Sequence, residues 1–170
     1  MSLRIREEVQ EVPRPLRLPP VAEDTPSFDV IREALGRLEV DAVPAWGRLN
    51  APAMLRHCSR FMELYLGAIG VHPFVRIMAR WFAPRFLRGY IVKPLGSTPR
   101  NMRTLQSIRA VEPEVGDFLE ERELFLKALE KVEALRGTVN HGLYGLMRAE
   151  DAQALVRHHT AHHFHQFGLL

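Results

Sequence analysis

The chain has 170 residues, of which 46% are hydrophobic and 25% are charged, and its formal net charge is +3 with neutral histidines. These values are ordinary for one globular domain with a single core. We interpret the charge as too small and too evenly spread to indicate a nucleic-acid-binding protein. The single cysteine, Cys58, excludes an internal disulfide framework and is typical of the reducing cytoplasm. The N-terminus lacks an apolar signal segment, and no apolar run approaches the roughly 20 residues of a membrane span. We therefore predict a cytoplasmic protein without stable membrane insertion.

Residues 1–26 form the first distinct segment of the chain. They contain five of the 12 prolines and show no helical periodicity. Because proline lacks the backbone N–H and restricts the residue before it, we predict an extended arm that lies along the surface of the domain. A binding tail is the alternative interpretation. Residues 27–170 then form the helical domain.

Two helices are predicted next, over residues 27–38 and 50–69, each with apolar residues at helical spacing. Asn50 is a suitable N-cap for the second helix, and Pro52 lies in its first turn, where the missing N–H costs nothing. His57 lies at the edge of the apolar face of this helix. Taken alone, a histidine there is more often a core or boundary residue than a metal ligand.

Residues 71–90 combine large apolar side chains with four arginines. Pro84 is expected to kink or end any helix in this segment. A basic amphipathic segment can bind a membrane surface or an acidic partner. We favour a short helix laid across the bundle, whose arginine stems cover apolar surface. The turn residues of the segment 93–99 predict a loop.

A third long helix is predicted over residues 115–135, with an acidic first half and basic residues near its end, as the helix dipole favours. A loop is predicted over residues 138–145. The last helix is predicted from about Arg148 to the residue before Gly168. Long helices joined by one crossover favour a helical bundle.

Five of the eight histidines lie between Arg157 and the C-terminus. His159 and His163 are four residues apart, and they continue an inward-facing apolar row of the last helix. His158 and His165 lie on a neighbouring face and are predicted to be surface groups. His162 lies between the two sets, and its environment is open.

Two inward imidazoles on adjacent turns are difficult to explain by packing alone, because each buried ring needs hydrogen-bond partners. A pair at positions i and i+4 can supply two nitrogen ligands to one divalent ion. A third ligand from another helix would leave a coordination position open for water or substrate, as in catalytic sites. The alternatives are a hydrogen-bonded histidine cluster and a solvated polar helix end.

Three stretches together resemble the DinB/YfiT-like superfamily, and more narrowly a branch of unknown function. They read WGRLNAPAMLRH (Trp46 to His57), HGLYGLMRAED (His141 to Asp151) and HTAHHFHQFGL (His159 to Leu169). The resemblance covers roughly residues 28–170. It implies an all-α four-helix bundle of up-down-down-up topology, with an extra short helix and loop in the crossover. It also implies a divalent metal ion on one histidine of the second helix and a pair of the last, which here are His57, His159 and His163.

The resemblance implies a metal-dependent enzyme, either a transferase that uses a low-molecular-weight thiol or a hydrolase, and it implies a homodimer. A small-molecule substrate is the expected partner, and nucleic acid is not. Three imidazoles do not select among Zn²⁺, Ni²⁺, Fe²⁺ and Mn²⁺. His162 or His141 is a candidate general base, although Gly142 replaces the proline usual in the branch. Cys58 is expected to be a buried thiol rather than a reactive one. The alternative function is a non-catalytic, stress-associated bundle that binds a ligand or a protein partner.

Overall fold

The structure, a computed structural model, describes residues 14–101, 106–110 and 115–170. Within these ranges the protein is mostly helical, as predicted, with one small antiparallel sheet. The two strands form a hairpin directly before the last helix. The elements in chain order are α1 (Phe28–Gly36), α2 (Ala51–Tyr65), α3 (Pro73–Ile91), two short 3-10 helices (Leu95–Ser97 and Gln106–Ile108), α4 (Phe118–Glu133), β1 (Thr138–His141), β2 (Gly145–Arg148) and α5 (Ala149–Gln166).

Side-chain caps fix where the first long helices begin. The hydroxyl of Ser27 accepts a hydrogen bond from the backbone of α1, and Asn50 Oδ1 accepts one from the N–H of Ala53 in α2 over 2.9 Å. These bonds satisfy amide groups that have no partner within the helix. Helix α2 ends at Tyr65, four residues earlier than predicted, and Gly67 follows with a φ of 72°. Glycine adopts this left-handed conformation at little cost, so it ends the helix.

One large core is shared by the five α-helices and strand β2. Most of its buried side chains come from α1, α2, α4 and α5, and they include Ile31, Leu35, Met54, Leu55, Phe125, Leu129, Val156 and Phe164. Phe125 and Phe164 stack with their ring centroids 5.8 Å apart, so α4 and α5 are in direct contact. Burial of apolar surface on this scale is the main source of stability in a domain of this size. The up-down-down-up bundle itself stays a prediction.

Helix α3 differs from the short crossing helix that we predicted. It continues through Pro84 and spans 19 residues. Its large apolar side chains are mostly exposed, and the expected covering of apolar surface by the arginine stems stays a prediction. The exposed residues are Phe74, Ile77, Met78, Trp81, Phe82 and Phe86. Other residues of the helix contact the body of the protein, among them Leu87 and Ile91, which are buried in the main core.

The segment predicted as the loop 138–145 forms a β-hairpin instead. Thr138 pairs with Arg148 and His141 pairs with Gly145 in an antiparallel register. The N-terminal arm runs beside this hairpin, where the N–H of Leu16 donates to the carbonyl oxygen of Leu146 over 2.8 Å. Farther along, the N–H of Ala22 donates to the carbonyl oxygen of Ile91. The first half of the arm, residues 1–13, lies outside the described residues.

Candidate metal centre

The three histidines implied by the resemblance come together in the structure. His57 lies in the middle of α2, and His159 and His163 lie on adjacent turns of α5. One ring nitrogen from each lies within 4.8 Å of the other two. The ring centroid of His57 is 5.1 Å from that of His159 and 4.8 Å from that of His163. This group is close enough to hold a metal ion.

Nε2 of His57 lies 3.1 Å from Nε2 of His159. Nδ1 of His57 lies 2.9 Å from the carbonyl oxygen of Ile108. Because a carbonyl oxygen can only accept, Nδ1 of His57 carries the proton. Its Nε2 therefore presents a lone pair to His159. Either a proton on Nε2 of His159 or a bound cation must face that lone pair.

A similar bond orients His163. Its Nδ1 lies 2.9 Å from Oε1 of Gln166, and the other amide atom, Nε2 of Gln166, donates to the carbonyl oxygen of Trp46. The amide orientation is therefore consistent with both partners, and Nδ1 of His163 is the donor. In the neutral ring, its Nε2 is left with a lone pair. Two of the three histidines thus have one tautomer fixed from the outer side, which is how ligating imidazoles are usually oriented.

For the third histidine, His159, the hydrogen-bond partner of Nδ1 does not fix the tautomer. Nδ1 of His159 lies 3.4 Å from the hydroxyl oxygen of Tyr90, which can donate or accept. If His159 donates to Tyr90, all three Nε2 atoms carry lone pairs and only a cation satisfies them. If Tyr90 donates, His159 and His57 form a hydrogen-bonded pair through Nε2. These two states correspond to the metal site and the histidine cluster that the sequence left open.

The protein surroundings keep the three histidines neutral. Burial lowers the pKa of His57 from its ordinary value, and it lowers the pKa of His163 to about 3. Burial also lowers the pKa of His159, which the neighbouring histidines lower further. Neutral imidazole is the form that binds metal, so ligand deprotonation is complete at neutral pH. His159 and His163 nevertheless keep part of their side chains exposed, so solvent reaches the site.

The spacing decides how far the group must adjust to bind an ion. Metal–nitrogen bonds of about 2.0–2.1 Å at tetrahedral angles place ligand nitrogens about 3.3 Å apart. The distance of 3.1 Å between His57 and His159 is already close to this value. The widest separation in the group, up to 4.8 Å, requires a side chain to move toward the ion. Three ligands would leave at least one coordination position open.

Gln166 connects the centre to the loop before α2. Besides its side-chain bonds, its carbonyl oxygen accepts the N–H of Ala45 over 2.8 Å. Gly47 has a φ of 85°, and a Cβ atom there would lie 2.5 Å from Nε2 of Gln166. Only glycine allows this close approach with that backbone conformation. The role of Gln166 in orienting His163 was not predicted, although its position three residues after His163 on the same helix indicates that the two side chains can meet.

An aromatic ring covers one ligand. Phe61 of α2 stacks on His159 with ring centroids 3.7 Å apart and planes 12° apart. The stack fixes the plane of the imidazole and excludes water from one of its faces. Neither Phe61 nor the carbonyl of Ile108 was predicted as part of the site, because their approach depends on tertiary packing.

The two candidate general bases lie in different places. The ring of His162 lies 5.2 Å from that of His163, and its buried Nδ1 has no hydrogen-bond partner among the described residues. Burial lowers the pKa of His162 to about 4. His141 lies at the end of β1, where its Nδ1 accepts the N–H groups of Leu143 and Tyr144 at 3.0 Å each. Within the described ranges the ring of His141 packs against Tyr65 and Tyr144 rather than against the three histidines, so its catalytic role stays a prediction.

The prediction that His158 is a surface residue is wrong. Its side chain is fully buried, its ring packs edge-on against Tyr90, and its Nδ1 lies 3.4 Å from the hydroxyl of Thr25. The arm and α3 cover this side of α5, and their approach could not be anticipated from α5 alone. His165 is partly exposed, and its Nδ1 donates to the carbonyl oxygen of Leu170 over 2.9 Å.

The single cysteine is buried as predicted. Cys58 is fully buried and its sulfur lies 3.9 Å from that of Met54. Burial raises the pKa of its thiol, so the reactive thiolate does not form at neutral pH.

No family model, curated protein or solved structure matches the chain. The resemblance to the DinB/YfiT-like superfamily therefore stays a prediction that rests on its sequence motifs. None of the described helices is long and apolar enough to cross a membrane.

Proposed function

We propose that the protein is a metal-dependent enzyme in which His57, His159 and His163 hold one divalent ion. The observation that carries this proposal is the 3.1 Å approach of two Nε2 atoms, one of which has its lone pair directed inward by the bond from Nδ1 to Ile108. A cation between the rings satisfies that lone pair and the one on His163 together. Zn²⁺, Ni²⁺, Fe²⁺ and Mn²⁺ all suit such a ligand set.

The proposed reaction is transfer to or from a low-molecular-weight thiol, with hydrolysis as the related possibility. Its support is the resemblance to the DinB/YfiT-like superfamily, together with the up-down-down-up bundle that this resemblance implies. A bound ion supplies Lewis acidity and lowers the pKa of a thiol or water in the open position. We expect the protein to act as a cytoplasmic homodimer on a small-molecule substrate.

The chain's own residues prepare the site for this chemistry. Ile108, Tyr90 and Gln166 hold the outer nitrogens of the three rings, and Phe61 covers one face of His159. His162 is the candidate proton acceptor. Its pKa of about 4 keeps it neutral at pH 7, and its Nδ1 has no partner among the residues that the structure describes. A neutral imidazole beside the site can accept a proton from a nucleophile.

Metal content is the first test. The protein is purified without chelator or metal-affinity resin, and bound metal is quantified for the wild type, His57→Ala and His159→Ala. The control is His165→Ala, because His165 lies on α5 but outside the trio. We expect near-stoichiometric metal in the wild type and the control, and its loss in the other two. A wild type that stays metal-free after addition of Zn²⁺ or Ni²⁺ contradicts the proposal.

Turnover is the second test. The metal-loaded protein is offered a panel of low-molecular-weight thiols with an electrophilic substrate. We expect thiol consumption that disappears in His57→Ala and falls in His162→Gln. Metal binding without activity across the panel would favour the second function, a non-catalytic bundle that binds a ligand or a protein partner. The observation that favours this second function is that Tyr90 can donate to Nδ1 of His159, in which case His159 and His57 form a hydrogen-bonded pair without a metal ion.

A further inference from the structure

Helix α3 presents an apolar surface to solvent, which we name the α3 outer face. It consists of Phe74, Ile77, Met78, Trp81 and Phe82, all of them exposed, with Trp81 at 81% and Phe74 at 66%. At 100° per residue these five side chains fall within an arc of about 140°. Large exposed apolar patches on soluble proteins mark interaction sites. The α3 outer face is therefore a candidate binding surface.

The opposite side of α3 fixes the helix to the protein. Val75 and Ala79 pack against a small cluster formed by Leu64, Ile108 and Leu143. Near the C-terminal end, Leu87 and Ile91 are buried in the main core. By helical geometry these inner residues project about 90° to 150° from the centre of the α3 outer face, on its two flanks, so that their mean direction is opposite to it. The outer face is thus the free side of an anchored helix.

The sequence segment that contains this helix is strongly positive. No Asp or Glu occurs from residue 64 to residue 111, and these 48 residues contain seven arginines and one lysine. The remaining chain has 15 basic and 20 acidic residues, which gives a charge of −5 against +8 for this segment. The expectation of an evenly spread charge is therefore wrong. Arg85 is exposed and projects within the arc of the apolar residues, whereas Arg76 is exposed on the other side of α3.

We infer that the α3 outer face binds the surface of an anionic lipid bilayer. Three observations favour this occupant. The charge of +8 is complementary to anionic headgroups. The aromatic, aliphatic and basic side chains together are typical of helices that lie in the membrane interface. Side chains are exposed around most of the circumference of α3, so the helix forms a ridge, which a deformable bilayer accommodates more readily than a protein groove.

A second copy of the chain and an acidic protein partner are the other candidate occupants of the α3 outer face, and they fit these observations less well. A second copy of the chain, paired through the same face, would bring two segments of charge +8 together. An acidic protein partner would need a groove shaped to a broad ridge. Insertion across the bilayer is a separate matter, because α3 is not apolar enough to span it. The inferred mode is a helix lying flat at the interface.

The test uses sedimentation of the full-length protein with vesicles. One set contains phosphatidylcholine alone, and the other contains about 30% phosphatidylserine. We expect binding to the anionic vesicles only, and at least about tenfold weaker binding when salt is raised from 0.1 M to 0.5 M, because the attraction is screened. Equal binding to both vesicle types, or binding to neither, would overturn the inference.

Two pairs of variants assign the binding to the helix. Phe74→Ser/Trp81→Ser removes apolar contacts, and its control is Leu119→Ser, an exposed apolar residue of α4. Arg85→Glu reverses a charge within the arc of the α3 outer face, and its control is Lys131→Glu on α4. We expect each α3 variant to lose at least about tenfold in vesicle affinity and the controls to change less than about twofold.

Light scattering tests whether a second copy of the chain, rather than a lipid surface, covers the α3 outer face. A dimer that dissociates in Phe74→Ser/Trp81→Ser, in a protein that does not bind vesicles, would show that a second copy covers the α3 outer face. That result would overturn the lipid inference. The inference is independent of the proposed enzyme function, since vesicle binding is measured without metal or substrate.

Discussion

Helices α3 and α5 are nearly equal in length, but α5 buries polar side chains whereas α3 exposes apolar ones. Helix α5 carries five histidines, yet His158 and His162 are buried, as are Thr160 and Gln166. Helix α3 is rich in aromatic residues, yet Trp81 is among the most exposed large side chains of the described part of the chain. Burial here follows what surrounds each helix rather than its own hydrophobicity. Buried polar groups and exposed apolar groups both need an explanation beyond folding.

The largest expected effect concerns acid and the buried histidines. The pKa values of His141 and His163 lie at about 3, and that of His162 at about 4, because burial disfavours the charged ring. Between these values and the unfolded value of about 6.5, only the unfolded chain binds the proton. The free energy of unfolding therefore loses nothing to these histidines above about pH 6.5. Below that pH it falls by up to about 1.4 kcal/mol per pH unit for each such histidine.

Urea unfolding at pH 7.5, 6.5, 5.5 and 5.0 measures this slope before most carboxylates titrate. His141→Asn is the matched variant, because its side-chain oxygen can still accept the N–H groups of Leu143 and Tyr144 without titrating. We expect its slope to be smaller than that of the wild type. Identical slopes would mean that His141 is protonated equally in both states.

The second effect concerns the outer partner of a metal ligand. Gln166→Ala removes the acceptor of Nδ1 of His163 and the donor to Trp46. We expect metal affinity to fall by about 10–100-fold, as for other outer partners of ligating imidazoles. Gln166→Glu keeps an acceptor for His163 and should retain more affinity than Gln166→Ala. Competition with a chromophoric chelator gives the affinities, and an unchanged value for Gln166→Ala would exclude a positioning role.

A third effect separates two glycines. Gly47→Ala places a methyl group against Gln166 at a residue with a φ of 85°, whereas Gly36 at the end of α1 has open space around it. We expect Gly47→Ala to cost about 1–3 kcal/mol of unfolding free energy. Gly36→Ala should be neutral or stabilising by up to about 1 kcal/mol, because alanine favours a helix. Both values come from urea unfolding, and equal effects would contradict the close approach at Gly47.

The smallest effect lies on α3. Trp81→Ser should change the free energy of unfolding by less than about 0.5 kcal/mol, because the side chain has few contacts to lose. Leu87→Ala on the inner side of the same helix should cost about 2–5 kcal/mol. Thermal unfolding of the two variants measures the difference. A large loss for Trp81→Ser would show that the α3 outer face is packed within the protein.

Local signals in the sequence were sufficient for the start of α2 and for the histidine pair of α5. The cap at Asn50 acts over three residues, and the pair His159 and His163 follows from helical spacing. His57 was identified as a ligand only through the resemblance, since its position alone favoured a core residue. Its approach to His159 across 102 residues depends on how α2 and α5 pack.

Features set by tertiary packing were missed. Pro84 predicted a kink or an end of the helix, and α3 does not end there. His158 was assigned to the surface because the arm and α3, which cover it, approach from elsewhere in the sequence. The β-hairpin was read as a loop because its strands have only four residues each. Helical periodicity carries no information on contacts of this kind.

The trio also makes a bound ion a long-range cross-link in a chain whose only cysteine is unpaired. An ion shared by His57 and His159 would join two points 102 residues apart. A covalent link that closes a loop of about 100 residues is worth about 4.7 kcal/mol in chain entropy. We therefore expect the unfolding rate to fall as free metal rises, since complete unfolding must release the ion. An unfolding rate that does not depend on metal concentration would contradict this expectation, because it would mean that α2 and α5 separate without release of a bound ion.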